Sequence, residues 1–321
     1  MKNWSKLFQN EEYLEMTRIY TLNKDTVGMV VDKIGIKPGM RVLDVASGSG
    51  EFVYYLSRGV ENVEFTGLDY DSHFVEVANR IKDGRLFNGN AADFIQGDAT
   101  DLPFESNSFD LVVSHTFFNS IPNYMGALKE MKRVCKYEGR IATIATMDVN
   151  CMIDAPGVYP KDLSWKQRYD ELLGKVHSMY EKIAPMKDYV GGIQTRYIPY
   201  LFSQAELKEV SAYPIGNFIS LSNAAMPKED KERYIRLQYL SEEKRLMAFC
   251  EEAGEEVRAY ISEDEIREFL SAAKKRMEYL LGNINTGENS IWEWSGFADL
   301  LVVGSKPSQD EYVMSLFSQG L

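Results

Sequence analysis

Residues Val42 to Phe52 read VLDVASGSGEF: four mostly apolar positions, five small ones from Ala46 to Gly50, then Glu51 and a helical pattern. A loop with almost no side chains lets backbone N–H groups and the start of a helix approach a ligand closely. That strand–loop–helix order recurs along the chain. The apolar runs predict strands at Arg41–Val45, Val63–Leu68, Asp93–Gln96, Phe109–Ser114 and Arg140–Ala145. Helical stretches are predicted between them near Phe52–Ser57, Ser72–Ile81 and Asn123–Lys136; in the second, Phe74, Val77, Ala78 and Ile81 mark one apolar face. Strands that alternate with helices in this way build a parallel sheet covered on both faces.

The loop also restricts its guest. A nicotinamide site asks for GxGxxG, but Gly48-Ser49-Gly50 is followed by Glu51, Phe52 and Val53, and no Gly-Lys-Ser/Thr of a phosphate-binding loop follows. Asp44 and Glu51 flank the loop with negative charge, which suits a nucleoside that carries an amine or a sulfonium rather than phosphates. Asp69 ends the second strand, where an acceptor-only side chain can take both ribose hydroxyls; a helix N-cap is its plainer role. Asp98 follows the third strand in GDATDLPF and can accept an exocyclic amine, with the Ala99 N–H beside it, or can close an Asx-turn. Asp44 can equally fix the loop by accepting backbone N–H groups.

Composition narrows the class. The chain has 321 residues, 45% of them hydrophobic, enough for a large core. No apolar run reaches the roughly 18 residues of a membrane span, and the start, MKNWSKLFQNEEYLEM, is too charged for a secretory core, so a cytoplasmic protein is expected. Cys135, Cys151 and Cys250 form no CxxC pair, so neither a disulfide framework nor a thiolate metal site is expected. The net charge of −12 argues against a nucleic-acid partner and for small or cationic ones. Residues 1–38 read as helical, with Trp4, Leu7, Phe8, Tyr13, Leu14, Ile19 and Tyr20. Beyond residue 150, Ser203–Glu206 and Ser262–Glu265 read as capping boxes that start helices, Asn217–Leu221 and Phe297–Gly304 as strands, and 227–281 as two or three charged helices.

VLDVASGSGEF, FTGLDYD, GDATDLPF, SFDLVVSHTFFNSIPN and ALKEMKRVCKYEGRIATIA together resemble the class I S-adenosylmethionine-dependent methyltransferases over residues 38–147. Weaker likenesses lie in RYIPYLFSQAELKEV and ADLLVVGSKP, and the chain looks most like the small-molecule branch with the ubiquinone and menaquinone C-methyltransferases. Two positions depart from the family: Ala46 replaces the first loop glycine, and Lys136-Tyr137-Glu138-Gly139 stands for Lys-Pro-Gly-Gly. The resemblance implies a Rossmann-like, seven-stranded sheet, mostly parallel, whose last strand is antiparallel. The pattern of the sequence itself divides the chain into a helical cap (1–38), a cofactor-binding core (39–150), a lid insertion (151–202), a core helix and strand (203–223), a helical insertion (224–295), a final strand (296–307) and a tail (308–321).

By the same resemblance Ala46, Ser47, Gly48, Ser49 and Gly50 wrap the methionine part of S-adenosyl-L-methionine, Asp69 binds ribose, Tyr70 packs on adenine, and Asp98 with Ala99 reads its edge. Ser114 and His115 line the pocket beside the methyl group. His115 can act there as a general base or simply fill space. The implied activity is methyl transfer to a small organic acceptor by in-line displacement, with no metal. Methylation of a protein or RNA, and cofactor binding without catalysis, are the alternatives.

Overall fold

In the computed structural model, residues 10–22, 24–86, 88–146, 163–183, 192–221, 226–284 and 294–318 are described. They fall into two compact units. One is drawn from Leu22–Asn150, Gly191–Gly216 and Ala298–Leu321, the other from Met1–Thr21, Cys151–Val190 and Asn217–Phe297.

The first unit is built on strands β1 (Arg41–Val45), β2 (Glu64–Asp69), β3 (Ala91–Gln96), β4 (Phe109–His115), β5 (Cys135–Thr146), β6 (Lys208–Ser220) and β7 (Trp294–Ser305). They form one seven-stranded sheet in the order β3-β2-β1-β4-β5-β7-β6. The β1–β2, β1–β4, β2–β3 and β4–β5 pairs are parallel, and β7 runs antiparallel to β5, with Leu301 opposite Ile144. The sheet is therefore the Rossmann-like, doubly wound arrangement that the resemblance implied.

Its core has two layers, and the strand period of two sorts residues between them. Val42, Leu111 and Val113 pack on one face with Phe52, Val53 and Leu56 of the helix Glu51–Ser57. Leu43, Val45 and Val112 pack on the other with Leu128 and Met131 of the helix Tyr124–Val134. Each such apolar side chain contributes about 1.5–3 kcal/mol on burial. Helix Val27–Ile34 joins the first layer through the fully buried Val30 and Ile34, and it stops at Gly35, whose φ of +75° suits a residue without Cβ.

Ser203–Glu206 does not start a helix; the helix Ile198–Gln204 ends there, and Glu206 has φ +58°. Pro199 occupies its first turn, and Ile198, Leu201 and Phe202 bury one face in the second core layer. That spacing of apolar residues outweighs a Ser-x-x-Glu match that lacks an apolar run after it. Strand β6 accordingly begins at Lys208 rather than Asn217.

The second unit is helical: Glu11–Thr21, Ser164–Lys182, Lys228–Ala253 and Glu263–Asn283. Tyr169 stacks on Phe269 at 5.5 Å, within a cluster that also holds Leu172, Val176, Leu246 and Phe249. The Ser262–Glu265 box forms as expected, the Ser262 Oγ accepting the Glu265 N–H and a Glu265 carboxylate oxygen accepting the Ser262 N–H. Lys175 Nζ sits 2.5 Å from Glu265 and, with that cap, holds the Glu265 carboxyl down at about 2. Trp4, Leu7, Phe8, Cys151, Trp292 and the side chains of Tyr13, Ile19, Tyr20 and Trp294 lie outside the described residues. No helix among the described residues is long and apolar enough to cross a membrane.

Candidate active site

The sheet reverses its winding between β1 and β4, which is where doubly wound sheets open a crevice at their carboxyl ends. Both strands leave that edge through a non-glycine residue in the left-handed region, Ala46 with φ +61° and Thr116 with φ +52°. For a β-branched residue such as Thr116 this conformation is strained and persists only where its surroundings enforce it. Here the Thr116 N–H donates to Ile144 O at 2.7 Å.

The glycine loop is fastened to β2. Ser47 N–H donates to Leu68 O at 3.0 Å, and Gly48 N–H donates to Asp69 Oδ2 at 2.8 Å. Asp69 Oδ1 accepts the Asp71 N–H at 2.9 Å, so one carboxylate ties the loop after β1 to the turn after β2. Burial pushes the Asp69 carboxyl up to about 6, against the lowering effect of these backbone donors. Asp71, rather than Asp69, caps the helix Ser72–Ile81 through the His73 N–H. Tyr70 is 42% exposed.

Other predicted residues take different places. Asp44 is buried in the middle of the sheet between Gly67 on β2 and Val113 on β4. Gly50, with φ +87°, begins the helix, and a Cβ there would lie 2.7 Å from Phe94 Cζ and 2.9 Å from Tyr54 Cζ. Its small size thus serves packing between strand and helix, whereas the Ser47-Gly48-Ser49 backbone turns past the end of β1. Ser47 and Ser49 are buried, and the Ser47 Oγ has no hydrogen-bond partner among the described residues. Asp98 Oδ1 accepts both the N–H and the hydroxyl of Thr100, the Asx-turn alternative, and Ala99 is buried beside it. Ser114 is fully buried and donates to Thr143 Oγ1 at 2.9 Å, which pins β4 to β5. His115 is buried at the end of β4, its ring 5.4 Å from that of Phe52.

Two features of the site carry no local signal in the sequence. Arg85 Nη2 lies 2.7 Å from both carboxylate oxygens of Glu51, so the negative charge assigned to Glu51 is largely compensated. The two residues are 34 positions apart, and no periodicity links them. The loop after β4 is also held by Asn119 and Thr195, whose contacts join distant segments. Among the described residues no cluster of His, Cys, Asp and Glu could hold a metal.

Residues 36–205, more than half of the chain, match the family described as the methyltransferase domain. The chain belongs to the methyltransferase-domain family. The demethylmenaquinone methyltransferase of Staphylococcus aureus is 34% identical over 146 residues, 44% of this chain and 59% of that protein, so the match spans little more than half of the relative. Among solved structures, the YcgJ protein of Bacillus subtilis is 18% identical with a TM-score of 0.47, covering 88% of this chain and 99% of its own. The Haemonchus contortus phosphoethanolamine N-methyltransferase 2, solved with phosphomonomethylethanolamine and S-adenosylhomocysteine, is 16% identical with a TM-score of 0.48, covering 95% of this chain and 60% of its own. The matched segment of this methyltransferase domain contains the whole glycine loop, Asp69, Asp98, His115 and Thr195.

Proposed function

We propose that the protein transfers a methyl group from S-adenosyl-L-methionine to a small organic acceptor. The observation that carries this reading is the Asp69 carboxylate, which joins the glycine loop to the end of β2 and keeps lone pairs beyond the two it gives to Gly48 and Asp71. Those lone pairs suit two ribose hydroxyls. The half-exposed Tyr70 ring suits a stacked base, Asp98 Oδ2 and the Ala99 N–H suit its polar edge, and the buried Ser47 hydroxyl suits a polar ligand atom nearby. When bound, the cofactor supplies a methyl group already activated on a sulfonium. The chain's own task is then to align the acceptor with that methyl and to exclude water.

His115, at the end of β4 beside the strained Thr116, is the side chain we assign to the acceptor side, as a base for an ionising hydroxyl or as a wall of the pocket. The acidic chain disfavours RNA as acceptor, and the demethylmenaquinone in the name of the Staphylococcus aureus relative guides the choice of first probe. A cytoplasmic setting agrees with cysteines that form no paired pattern.

Calorimetry with S-adenosylmethionine and S-adenosylhomocysteine tests the reading, with micromolar affinity, about −8 kcal/mol, as the expected result. Transfer of labelled methyl to a panel of a reduced naphthoquinol, a catechol and phosphoethanolamine then tests the acceptor class. No binding of either ligand would overturn the cofactor assignment, and binding without transfer to any small acceptor would overturn the second half.

A further inference from the structure

Thr195 lies in the segment between the helical unit's sequence and the helix Ile198–Gln204, and it is fully buried. Its hydroxyl donates to the carbonyl of Thr146, the last residue of β5, at 2.5 Å and accepts from Asn119 Nδ2 at 2.8 Å. Asn119 belongs to the loop that leaves β4 directly after His115 and Thr116. Two more contacts press the same segment on that loop. The Ile193 N–H donates to Phe118 O at 3.0 Å, and a Cβ on Gly192 would lie 2.1 Å from the Asn119 carbonyl carbon and 2.2 Å from Phe118 O. Backbone rests on backbone there. One hydroxyl thus ties together the ends of β4 and β5 and a strand of chain nearly fifty residues further on.

The loop being tied is not free to relax elsewhere. Phe117, Phe118 and Ile121 are buried in the second core layer, and Phe118 meets Phe202 edge to face at 6.1 Å. Its first residue is the strained Thr116. A left-handed β-branched residue needs a surrounding that enforces its conformation, and the Asn119–Thr195–Thr146 clamp adds to the Thr116 N–H bond to Ile144 O in providing it.

We propose that Thr195 and Asn119 are positioning residues of the methyltransferase site: by clamping the loop after β4 to the end of β5 they fix where His115 and Thr116 face the reacting centre. The inference rests on the proposed methyl-transfer function for its consequence in turnover, but the clamp itself is a property of the free protein. The clamp has no contact with the glycine loop or Asp69 among the bonds described above, so loss of the Thr195 hydroxyl acts on the acceptor side and spares cofactor affinity.

The test compares full-length wild type with Thr195→Val, which keeps the shape and removes the hydroxyl, and Thr195→Ser, which restores the hydroxyl. The chain has three histidines, so the His115 ring can be followed by nitrogen-correlated NMR. In Thr195→Val the His115 signal should move, with the Ser variant returning it toward wild type. The affinity for S-adenosylhomocysteine should stay within about twofold. With the reduced naphthoquinol as probe, kcat should fall about ten- to a hundredfold at unchanged KM for the cofactor, the scale expected for misplacement by an ångström or less. Asn119→Ala, which removes the second arm of the clamp, should reproduce the pattern and serves if Thr195→Val does not fold. An unchanged His115 signal in a folded variant, even with a lower melting temperature, overturns the proposal. A wild type that fails to bind S-adenosylhomocysteine overturns the cofactor reading instead, and the His115 comparison in the free protein still decides the clamp.

Discussion

With the proposed ribose contact, Asp69 should make cofactor affinity a function of pH. Its carboxylate must be ionised to accept two ribose hydroxyls, because a protonated carboxyl gives up one acceptor site and presents a donor. Burial holds the group at about 6 in the free protein. At pH 7 about ten molecules in eleven carry the carboxylate and at pH 5 about one in eleven, so affinity should fall roughly tenfold across that window, about 1.4 kcal/mol. The free protein responds in the opposite sense. A carboxyl raised above its ordinary value adds stability that is fully present below the ordinary range near 4 and is lost as pH rises through about 6. The thermal shift produced by S-adenosylhomocysteine should therefore grow from pH 5 to pH 7. Calorimetric titrations with S-adenosylhomocysteine at half-unit steps from pH 5 to 8 would show this, and Asp69→Asn should bind weakly with a flat profile. A wild-type affinity that does not change between pH 5 and 7 would refute either the ribose contact or the raised carboxyl.

Gly50→Ala should cost about 2–4 kcal/mol in urea unfolding, since the new Cβ meets Phe94 and Tyr54 below 3.0 Å in a left-handed conformation; a loss under about 1 kcal/mol would mean that helix Glu51–Ser57 shifts readily. Arg85→Met uncovers the Glu51 charge beside the loop, so the preference for cationic S-adenosylmethionine over neutral S-adenosylhomocysteine should rise severalfold at low salt, as read by paired calorimetry. An unaltered ratio places Glu51 beyond the reach of the sulfonium. Ser262→Ala removes one side of the capping box and should lower stability by about 1 kcal/mol while leaving S-adenosylhomocysteine affinity as it was.

The strands before the helix Tyr124–Val134 were legible because they are short, largely apolar and separated by turn residues: strand Arg41–Val45 and the helix Ser72–Ile81 that follows β2 have the bounds read from the sequence. The helix at Ile198–Gln204 was not, because Ser203 and Glu206 imitate a start signal where the buried Ile198, Leu201 and Phe202 have already formed the helix. At the site, residues that act through the backbone at strand ends, the glycine loop and Asp69, stood out by position. Arg85, Asn119 and Thr195 did not, since their partners are 34 to 76 residues away and only the folded chain brings them together. Asp98 and Ser114 show the converse: their positions were foreseen, yet much of their hydrogen-bonding capacity goes to Thr100 and Thr143.

The place of β7 bears on how the chain is made. The strand lies between β5 and β6, and its Leu301 pairs with Ile144 across roughly 150 residues of intervening sequence. At about 5–20 residues per second on the ribosome, β5 waits on the order of ten to thirty seconds for its neighbour. During that interval β1 to β5 can assemble, while β6 has no sheet partner and β5 presents a bare row of N–H and C=O groups. A nascent chain halted before Trp294 is thus a five-stranded sheet with an open edge, the form in which this protein is most exposed to chaperones and to pairing with other nascent chains.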